Sequence, residues 1–421
     1  MSGISPGRAV AVEVLHRVAT DDAWAMPSLD AEIRRGGLDR RDAALATEIV
    51  YGTLRVLPSL DALLARFLRQ PDKTEAYLRA TLRAAAYQLM HLDRAPAHAV
   101  VSDAVSIIKR GRSPKLAGVA NAVLRKVAKA RPEAPARPTR IELPAWLETR
   151  LQQALGPRTG AFLEGVGWPP PMGLRLVGDG AGVLDAIRAA CPEATVTAVG
   201  ETSALLRNAG DPRALPGYAE GRFAVQELGA QAVTRWAEVA PGERVADLCC
   251  GHGTKTLAFA EQVGEGGHVE AVDLHEAKLD ALSTERARLG IPPSRVGTRA
   301  VDLTVGLGGH DEGSFDRVIL DAPCTGLGTV HRRPELALRI TKKDPGRLGR
   351  LQRALLDSAV RLVRPEGTLV YIVCSPTREE GEAVVAGFTE SNPGVTLLDR
   401  VEVGPWEGER DAYVAARWRI R

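Results

Sequence analysis

Two cysteines that follow apolar segments are the residues of this chain best suited to covalent chemistry. Cys324 ends the stretch DAPC, which begins at Asp321, and Cys374 stands 50 residues later. A cysteine thiolate that adds to carbon 6 of a pyrimidine makes carbon 5 electron-rich enough to accept a methyl group. A base must then remove the carbon-5 proton so that the thiol can leave. Beside a methyl donor this pair would methylate a pyrimidine, and the spacing leaves open which thiol attacks.

The attacking thiol needs positive charge nearby, because a free cysteine has a pKa of about 8.5. Lys255, Arg332 and Arg333 are the candidates for that charge. Many amino-methyltransferases carry Asp/Asn-Pro-Pro-aromatic where this chain has DAPC, so a thiol replaces the aromatic residue. Cys191 and Cys250 are interpreted as structural, since cysteine is often a small buried hydrophobe.

A loop with two glycines follows the apolar segment RVADLC and predicts a cofactor site. Glycines allow a tight turn and a close approach of the backbone to a ligand, and the helix that follows favours negative charge at its N-terminus. A dinucleotide fingerprint needs glycine at position 256, and a P-loop needs glycine at 249 and 254; neither is present. S-adenosylmethionine needs no pyrophosphate cradle and is the predicted cofactor. The loop residues expected around it are Cys249, Cys250, Gly251, His252, Gly253, Thr254 and Lys255.

Three acids follow other strand candidates. Asp273 stands 20 residues after Gly253, where a carboxylate accepts hydrogen bonds from ribose hydroxyls. Asp302 is predicted either to face the adenine or to cap a helix or turn. Asp321 is predicted to hold the donor or the edge of the base.

The second half of the chain alternates strands with helices. Strands are predicted at 244–249, 268–274, 315–323 and 367–375, with helices notably at 276–289 and 347–363. This alternation favours a parallel sheet covered by helices on both faces. Ligands of such sheets bind beyond the carboxyl ends of the strands, which is where the cysteines, the loop and the acids stand.

Composition excludes several classes of protein. With 421 residues, 45% of them hydrophobic, the chain predicts two or three globular domains. No apolar run approaches the roughly 18 residues of a membrane span, and the N-terminus does not resemble a signal peptide. The five cysteines are odd in number and lack a CxxC pair, so neither a disulfide framework nor a zinc site is predicted. Reduced thiols in the cytoplasm fit best, without a metal or a membrane.

Positive charge is concentrated at the front. Residues 1–140 hold 23 Lys and Arg against 14 Asp and Glu, a net charge of +9, and the remainder carries −6. This asymmetry indicates either a module that binds a polyanion or a solvated helical surface. An amphipathic basic helix with a basic loop ahead of it suits RNA phosphates. The cations predicted to bind RNA there are Lys109, Arg110, Arg112, Lys115, Arg125 and Lys126, with Arg332 and Arg333 added from the second half.

Apolar spacing of three and four residues predicts helices over the first 130 residues. A proline-rich linker is predicted at 131–140. The predicted domains are a helical RNA-binding domain at 1–138, a small α+β RNA-orienting subdomain at 139–225 and a catalytic domain at 226–421.

Several stretches carry a resemblance to a known family. In the second half they are FAVQELGAQAV, PGERVADLCCGHGTKT, DAPCTGLGTVHRRPE and GTLVYIVCS. With these, residues 223–421 resemble the Sun/NOL1/NOP family of RNA cytosine-C5 methyltransferases. The front stretches LDRRDAALATEIVYGTLR, HAVVSDAVSIIKRG and AGVANAVLRKV resemble the NusB-like RNA-binding domain of the bacterial 16S ribosomal RNA members.

The resemblance implies an α/β fold: a Rossmann-like class I methyltransferase domain with a seven-stranded, mostly parallel sheet, preceded by an all-α NusB-like domain and a small α+β segment. It implies that Cys374 is the nucleophile and that Cys324 helps to expel the enzyme from the product. It also implies that residues 249–255 and the acids Asp273, Asp302 and Asp321 surround S-adenosylmethionine. DNA cytosine methyltransferases use the Pro-Cys thiol as nucleophile instead.

Three departures from the family pattern concern the cofactor loop and the thiol motifs. His252 and Thr254 replace the proline and second glycine of CAAPGGKT, Val373 replaces the threonine of Thr-Cys-Ser, and Thr325 stands where serine is commoner. Both thiols and all three acids remain, which favours an active enzyme.

The sequence therefore predicts a monomeric, cytoplasmic enzyme that methylates carbon 5 of a cytosine in RNA, most of all 16S ribosomal RNA. One rival is an RNA-binding ribosome-assembly or antitermination-like factor with a vestigial methyltransferase domain. The other is a cytosine methyltransferase that acts on DNA or transfer RNA.

Overall fold

The front of the chain folds as helices, as its apolar spacing predicts. The computed structural model describes residues 3–133, 136–167, 169–178 and 180–421. On α1, the predicted apolar face of Val10, Val14, Leu15 and Val18 is buried. The helices up to residue 129 are α1 (Pro6–Thr20), α2 (Ala25–Gly36), α3 (Arg40–Arg55), α4 (Leu57–Ala65), α5 (Ala76–His91), α6 (Ala97–Arg110) and α7 (Ala117–Lys129).

The predicted linker at 131–140 contains no helix or strand in its described residues, 131–133 and 136–140. Its residues 134 and 135 lie outside the described part of the chain. Two short helices follow, α8 (Ala145–Leu155) and α9 (Thr159–Gly165).

A four-stranded antiparallel sheet comes next, with strand order β2-β3-β1-β4. It forms where the sequence predicts a small α+β segment. Its elements are β1 (Met172–Leu176), α10 (Ala181–Ala190), β2 (Thr195–Val199), β3 (Ser203–Arg207) and β4 (Phe223–Val225).

The second half forms the predicted parallel sheet with helices between its strands. Its seven strands have the order β10-β11-β9-β8-β5-β6-β7, and only β11 runs antiparallel to its two neighbours. The elements are α11 (Leu228–Trp236), β5 (Arg244–Leu248), α12 (Thr254–Val263), β6 (His268–Asp273), α13 (Glu276–Arg288), β7 (Val296–Ala300), β8 (Phe315–Asp321), α14 (Leu336–Arg339), α15 (Asp344–Leu362), β9 (Val363–Val373), α16 (Glu382–Ser391), β10 (Val395–Val403) and β11 (Tyr413–Ile420).

The strand order positions the site. The chain builds β5, β6 and β7 outward in one direction and then returns to place β8 on the other side of β5. Adjacent strands whose connections leave in opposite directions open a crevice at their carboxyl ends, where ligands bind. Strands β5, β8 and β9 are buried along most of their length, as central parallel strands are.

The chain divides into two compact units. The helical unit comprises the chain up to Thr149 together with Leu163–Pro169 and Val330–Arg339. The sheet unit comprises Arg150–Phe162, Pro170–Thr329 and Ile340–Arg421. The three-domain division with bounds at 138/139 and 225/226 stays a prediction. No helix of the described residues is long and apolar enough to cross a membrane.

Candidate active site

The two thiols that the sequence singles out lie side by side. Strands β8 and β9 are parallel neighbours, and Asp321 pairs in register with Ile372, so both following loops leave the same edge of the sheet. Cys324 Sγ lies 3.4 Å from Cys374 Sγ, within hydrogen-bond distance for sulfur. Gly328 N also donates to Cys374 O at 2.9 Å, which fastens the two loops together.

A lysine supplies the positive charge beside this pair. Lys255 Nζ lies 2.8 Å from Asp321 Oδ2 and 5.2 Å from the centre of the Tyr413 ring. Burial is the largest single effect and would lower the pKa of Lys255, but the charge and the hydrogen bond of Asp321, together with further negative charge nearby, outweigh it and the pKa is raised. Lys255 therefore stays charged at neutral pH.

Cys324 holds its proton more firmly than a free cysteine does. The hydrogen bond to Cys374 raises the pKa of Cys324 well above its ordinary value, and burial and the charge of Glu380 act in the same direction. Either sulfur can be the donor in the hydrogen bond of this pair.

The predicted cofactor loop turns back on itself before α12. Cys249, Gly251 and Gly253 have φ angles of 60°, 59° and 76°, in the left-handed region. A Cβ on Gly251 would meet no atom within 4 Å, whereas one on Gly253 would lie 2.3 Å from the Leu282 side chain. The loop is open on one side and packed on the other.

Side chains of this loop differ in exposure. His252 and Thr254 are exposed, so both residues at which this loop departs from the family pattern face outward. Burial raises the pKa of Cys249 to about 12 and also raises that of the buried Cys250. Both thiols therefore stay protonated at neutral pH, which agrees with the structural interpretation of Cys250.

Asp273 is held at the end of β6 beside this loop. Its Oδ2 accepts from Gly251 N at 2.9 Å, and its Oδ1 accepts from His275 N at 2.9 Å and lies 3.3 Å from Lys278 Nζ. Burial would raise the pKa of Asp273, but these donors outweigh it and the pKa is lowered. The structure brings this predicted acid and the loop together with a fixed negative charge.

Asp247 is a residue of this region that sequence reasoning missed. It is fully buried near the end of β5; its Oδ2 accepts from Thr256 Oγ1 at 2.6 Å, and its Oδ1 has no donor among the described residues. Burial raises the pKa of Asp247 to about 7. The signal was an aspartate inside the apolar segment RVADLC, where an acid has no packing purpose.

Tyr413 and Glu380 were also missed. Tyr413 stands at the start of an antiparallel strand far along the chain, so no local pattern connects it with Lys255. Glu380 follows Cys374 by six residues, and the hydroxyl side chains of Ser375 and Thr377 stand between them. Its carboxylate is fully buried.

The surroundings of three further predicted site residues differ from those of the thiols and the cofactor loop. Asp302 is exposed, and its Oδ1 accepts from Thr304 N at 2.9 Å and Thr304 Oγ1 at 2.6 Å, which is the predicted turn cap and lowers its pKa. Its contact with adenine stays a prediction. Arg332 and Arg333 belong to the helical unit, where the Arg333 guanidinium lies 5.7 Å from the Trp24 ring centre.

The basic residues of α6, α7 and the loop between them divide into two groups. Arg112 lies 2.6 Å from the Glu13 carboxylate and 5.9 Å from the Tyr77 ring centre, so internal contacts occupy it. Lys109 and Arg125 are exposed and line a cavity of about 610 Å³ between the two helices, together with Lys129. The other predicted cations of this region are exposed as well: Arg110, Lys115 and Lys126.

The described residues contain no group of three or more histidine, cysteine or acidic side chains arranged to hold a metal ion.

Both halves of the chain match families of known proteins. Residues 235–409 match the family described as 16S rRNA methyltransferase RsmB/F, and residues 5–129 match the NusB family. Over 388 residues the chain is 37% identical to ribosomal RNA small subunit methyltransferase B of Thermus thermophilus, covering 92% of this chain and 88% of the relative. It is 32% identical over 402 residues to the Pseudomonas putida protein of that name, covering 93% and 91%.

Solved structures share the fold. The crystal structure of PH0851 superposes with a TM-score of 0.83 at 23% identity and covers 99% of both chains. NSun6 from Pyrococcus horikoshii, crystallised with SFG, superposes with a TM-score of 0.57 at 15% identity, covering 66% of this chain and 98% of that one.

Proposed function

The chain belongs to the ribosomal RNA small subunit methyltransferase B family of S-adenosylmethionine-dependent rRNA methyltransferases, and on that premise we propose that it methylates carbon 5 of a cytosine in 16S ribosomal RNA. The observation that carries the proposal is the 3.4 Å separation of the Cys324 and Cys374 sulfurs at the ends of adjacent strands. An amino-methyltransferase has no use for two thiols at that place, whereas carbon-5 chemistry needs a nucleophile and a second proton-moving group.

The cofactor site has features that fit S-adenosylmethionine. Asp247 Oδ1 is a buried acceptor without a donor among the described residues, and the ammonium group of S-adenosylmethionine is a donor. The open side of Gly251 leaves room for a ligand against the backbone. We propose that residues 249–255 line the cofactor, that Asp273 binds its ribose and that Asp302 faces its adenine. When bound, the cofactor supplies an electrophilic methyl group.

Cys374 begins the proposed reaction. Its thiolate forms a bond to carbon 6 of the cytosine, and the electrons of the 5,6 double bond make carbon 5 nucleophilic toward the methyl group. Lys255 and Asp321, 2.8 Å apart, hold the polar edge of the base, with Asp321 accepting from its amino group. The target base is splayed or flipped out of the RNA to reach the cleft.

Cys324 completes the reaction. The largest cause of its raised pKa is the hydrogen bond to Cys374, and that cause disappears once Cys374 is bonded to carbon 6. Cys324 then releases its proton to water more readily and accepts the proton from carbon 5. The electrons of the broken carbon–hydrogen bond restore the 5,6 double bond, and the bond between carbon 6 and sulfur breaks.

The helical unit is proposed to bind the RNA. Lys109, Arg125 and Lys129 line one groove, and none of them forms an ion pair with a carboxylate in the described part of the chain. Unpaired cations in a groove attract phosphates. Methylation of ribosomal RNA would take place in the cytoplasm.

The decisive experiment compares the wild type with Cys374→Ala, Cys324→Ala and the control Cys191→Ala. Each protein is incubated with labelled S-adenosylmethionine and unmodified 16S ribosomal RNA, and 5-methylcytosine and gel-stable protein–RNA adducts are measured. Cys374→Ala should give neither, because no bond to carbon 6 forms. Cys324→Ala should accumulate the adduct, because attack proceeds while release fails. Cys191→Ala should behave as the wild type.

Other outcomes are equally informative. Adducts from Cys374→Ala with none from Cys324→Ala would reverse the two roles. Methylation of transfer RNA or DNA, but not of 16S ribosomal RNA, would replace the substrate. A wild type that binds RNA without methylating any of the three would favour an assembly factor over an enzyme.

A further inference from the structure

A buried carboxylate lies between the two loops that carry the cysteines. The side chain of Glu380 is fully buried and accepts five hydrogen bonds. Its Oε1 accepts from Thr325 N at 2.8 Å and Gln352 Nε2 at 3.2 Å. Its Oε2 accepts from Thr325 Oγ1 at 2.6 Å, Ser375 Oγ at 2.6 Å and Thr377 Oγ1 at 2.9 Å.

These donors come from both sides of the thiol pair. Thr325 directly follows Cys324, and Ser375 directly follows Cys374. Thr325 Oγ1 and Ser375 Oγ also lie 3.0 Å apart, so the two loops meet at this carboxylate. Gln352 of α15 extends the network, because its Nε2 also donates to the backbone carbonyl of residue 323 at 2.9 Å. The Glu380 side chain is thus hydrogen-bonded to the residue that directly follows each of the two cysteines.

A buried carboxylate at this place contributes little to the stability of the fold. Taking a carboxylate out of water is costly even when its hydrogen bonds are satisfied, and apolar side chains of similar volume often stabilise a core better. Hydrogen bonds to an ionised acceptor are, however, shorter and stronger than neutral ones. They hold loops to a fixed geometry, which a two-thiol site requires.

We propose that Glu380 is a positioning residue for the two-thiol reaction, whose buried carboxylate fixes the residues after Cys324 and Cys374 and so holds the two sulfurs at reacting distance. This inference rests on the proposed function. The charge of Glu380 also contributes to the raised pKa of Cys324, so it helps that thiol to remain protonated while Cys374 attacks.

The test uses the full chain with Glu380→Gln. The hydroxyls of Ser375 and Thr377 can turn to accept from the new amide, so this variant is expected to fold. The control is Glu382→Gln, which removes an exposed carboxylate that pairs with Arg378. Methylation of 16S ribosomal RNA should fall about 100-fold in kcat for Glu380→Gln, the size of effect produced by a reacting group misplaced by about 1 Å. The KM for S-adenosylmethionine should not change.

A second measurement needs neither RNA nor turnover. Alkylation of each cysteine by iodoacetamide is followed by mass spectrometry as a function of pH. In Glu380→Gln the alkylation midpoint of Cys324 should move to lower pH, because a negative charge has been removed beside it. Cys249 and Cys250 should stay protected, and their modification would reveal unfolding instead.

Thr325 provides a variant that keeps the carboxylate in place. Thr325→Val removes one hydroxyl donor to Glu380, and Thr325→Ser retains it. The valine variant should lower kcat, and the serine variant should keep wild-type activity. Wild-type kcat and an unchanged Cys324 midpoint in Glu380→Gln would overturn the inference, as would equal activity of the two Thr325 variants. Loss of the proposed function itself would appear differently, as absence of 5-methylcytosine in the wild type.

Discussion

At the scale of single residues, burial and the available hydrogen-bond donors together decide which acids carry charge. Asp273 is surrounded by donors and keeps a low pKa, whereas Asp247 receives one hydrogen bond and its pKa rises to about 7. Both acids stand near the ends of neighbouring strands, so the strand pattern alone does not distinguish them. The difference comes from the complete burial of Asp247 and from the larger number of donors that surround Asp273.

Asp247→Asn should stabilise the chain without cofactor, and increasingly so at higher pH. The folded pKa of about 7 lies above the unfolded value of about 3.9, so ionisation opposes folding. The penalty is absent below about pH 4, grows as the pH rises and is complete above about pH 7, where it reaches at most about 4 kcal/mol. Thermal unfolding at pH 5 and pH 8 measures it.

The matched control is Asp302→Asn, which changes an exposed acid. The advantage of Asp247→Asn over the wild type should be larger at pH 8 than at pH 5. An equal difference at both pH values would contradict the buried-acid explanation. In the proposed cofactor site the same variant should bind S-adenosylmethionine more weakly, because the ammonium group loses a charged acceptor.

At the scale of structural elements, the contact between the loop after Cys324 and the loop that carries Cys374 depends on Gly328. Gly328 N donates to Cys374 O, and Ala412 N donates to Gly328 O at 3.0 Å. A Cβ on Gly328 would lie 2.0 Å from Ala412 O, which is backbone and cannot swing away. The loop after Cys324 therefore approaches the start of β11 more closely than any other residue type permits.

Gly328→Ala should separate this loop from Cys374. Overpacking of this kind costs about 1–3 kcal/mol, and displacement of Cys324 should lower methyl transfer about 100-fold. Single-turnover methylation and thermal unfolding are the measurements. Gly306→Ala is the control, because its Cβ would meet no atom within 4 Å. Full activity of the Gly328 variant would show that the thiol pair tolerates a shifted loop.

Local pattern predicted the parallel strands well and their ends less well. The predicted strand at 367–375 begins at Val363 and ends at Val373, before the cysteine. Strands β10 and β11 were not predicted one by one and entered only through the family resemblance; β10 is largely exposed, and β11 is buried on both faces, so neither alternates.

The sequence likewise predicted only part of the candidate site. The pairing of Cys324 with Cys374 followed from the expected adjacency of their strands. Tyr413, Glu380 and Asp247 did not follow, because their contacts are long-range or depend on burial that a sequence does not display.

At the scale of the whole molecule, the positively charged N-terminal region contains the groove between α6 and α7. Replacing Lys109, Arg125 and Lys129 together by glutamine should weaken RNA binding. The slope of log Kd against the logarithm of the salt concentration should fall by about 2 to 3, because each lost phosphate contact removes about 1 from it. Binding titrations from low to moderate salt measure both. Arg112→Gln is the control, because its guanidinium already pairs with Glu13. An unchanged slope in the triple variant would move the RNA site elsewhere.

One segment of the second half is built into the helical unit. Residues Val330–Arg339 follow Cys324 by a few positions, and Glu335 Oε1 accepts from Ala25 N at 2.9 Å. Arg55 Nη2 donates to His331 O at 3.1 Å. His331 and Glu335 are both buried. The front helices thus support the chain just beyond the proposed catalytic loop.

A fragment of residues 140–421 should therefore lose more than RNA affinity. It lacks Ala25 and Arg55, so His331 and Glu335 lose these partners, and hydrogen exchange over 330–339 should become faster. S-adenosylmethionine binding should remain, because residues 249–255 and Asp273 belong to the sheet unit. Methylation should stay below the full-chain rate even at saturating RNA.

The full chain with the triple groove substitution is the control for this fragment. It should lose RNA affinity while residues 330–339 stay protected from exchange, because the contacts of Ala25 and Arg55 remain in place. If the fragment instead methylates saturating RNA at the full-chain rate, the front helices contribute RNA binding alone, and the contacts at 330–339 have no part in catalysis.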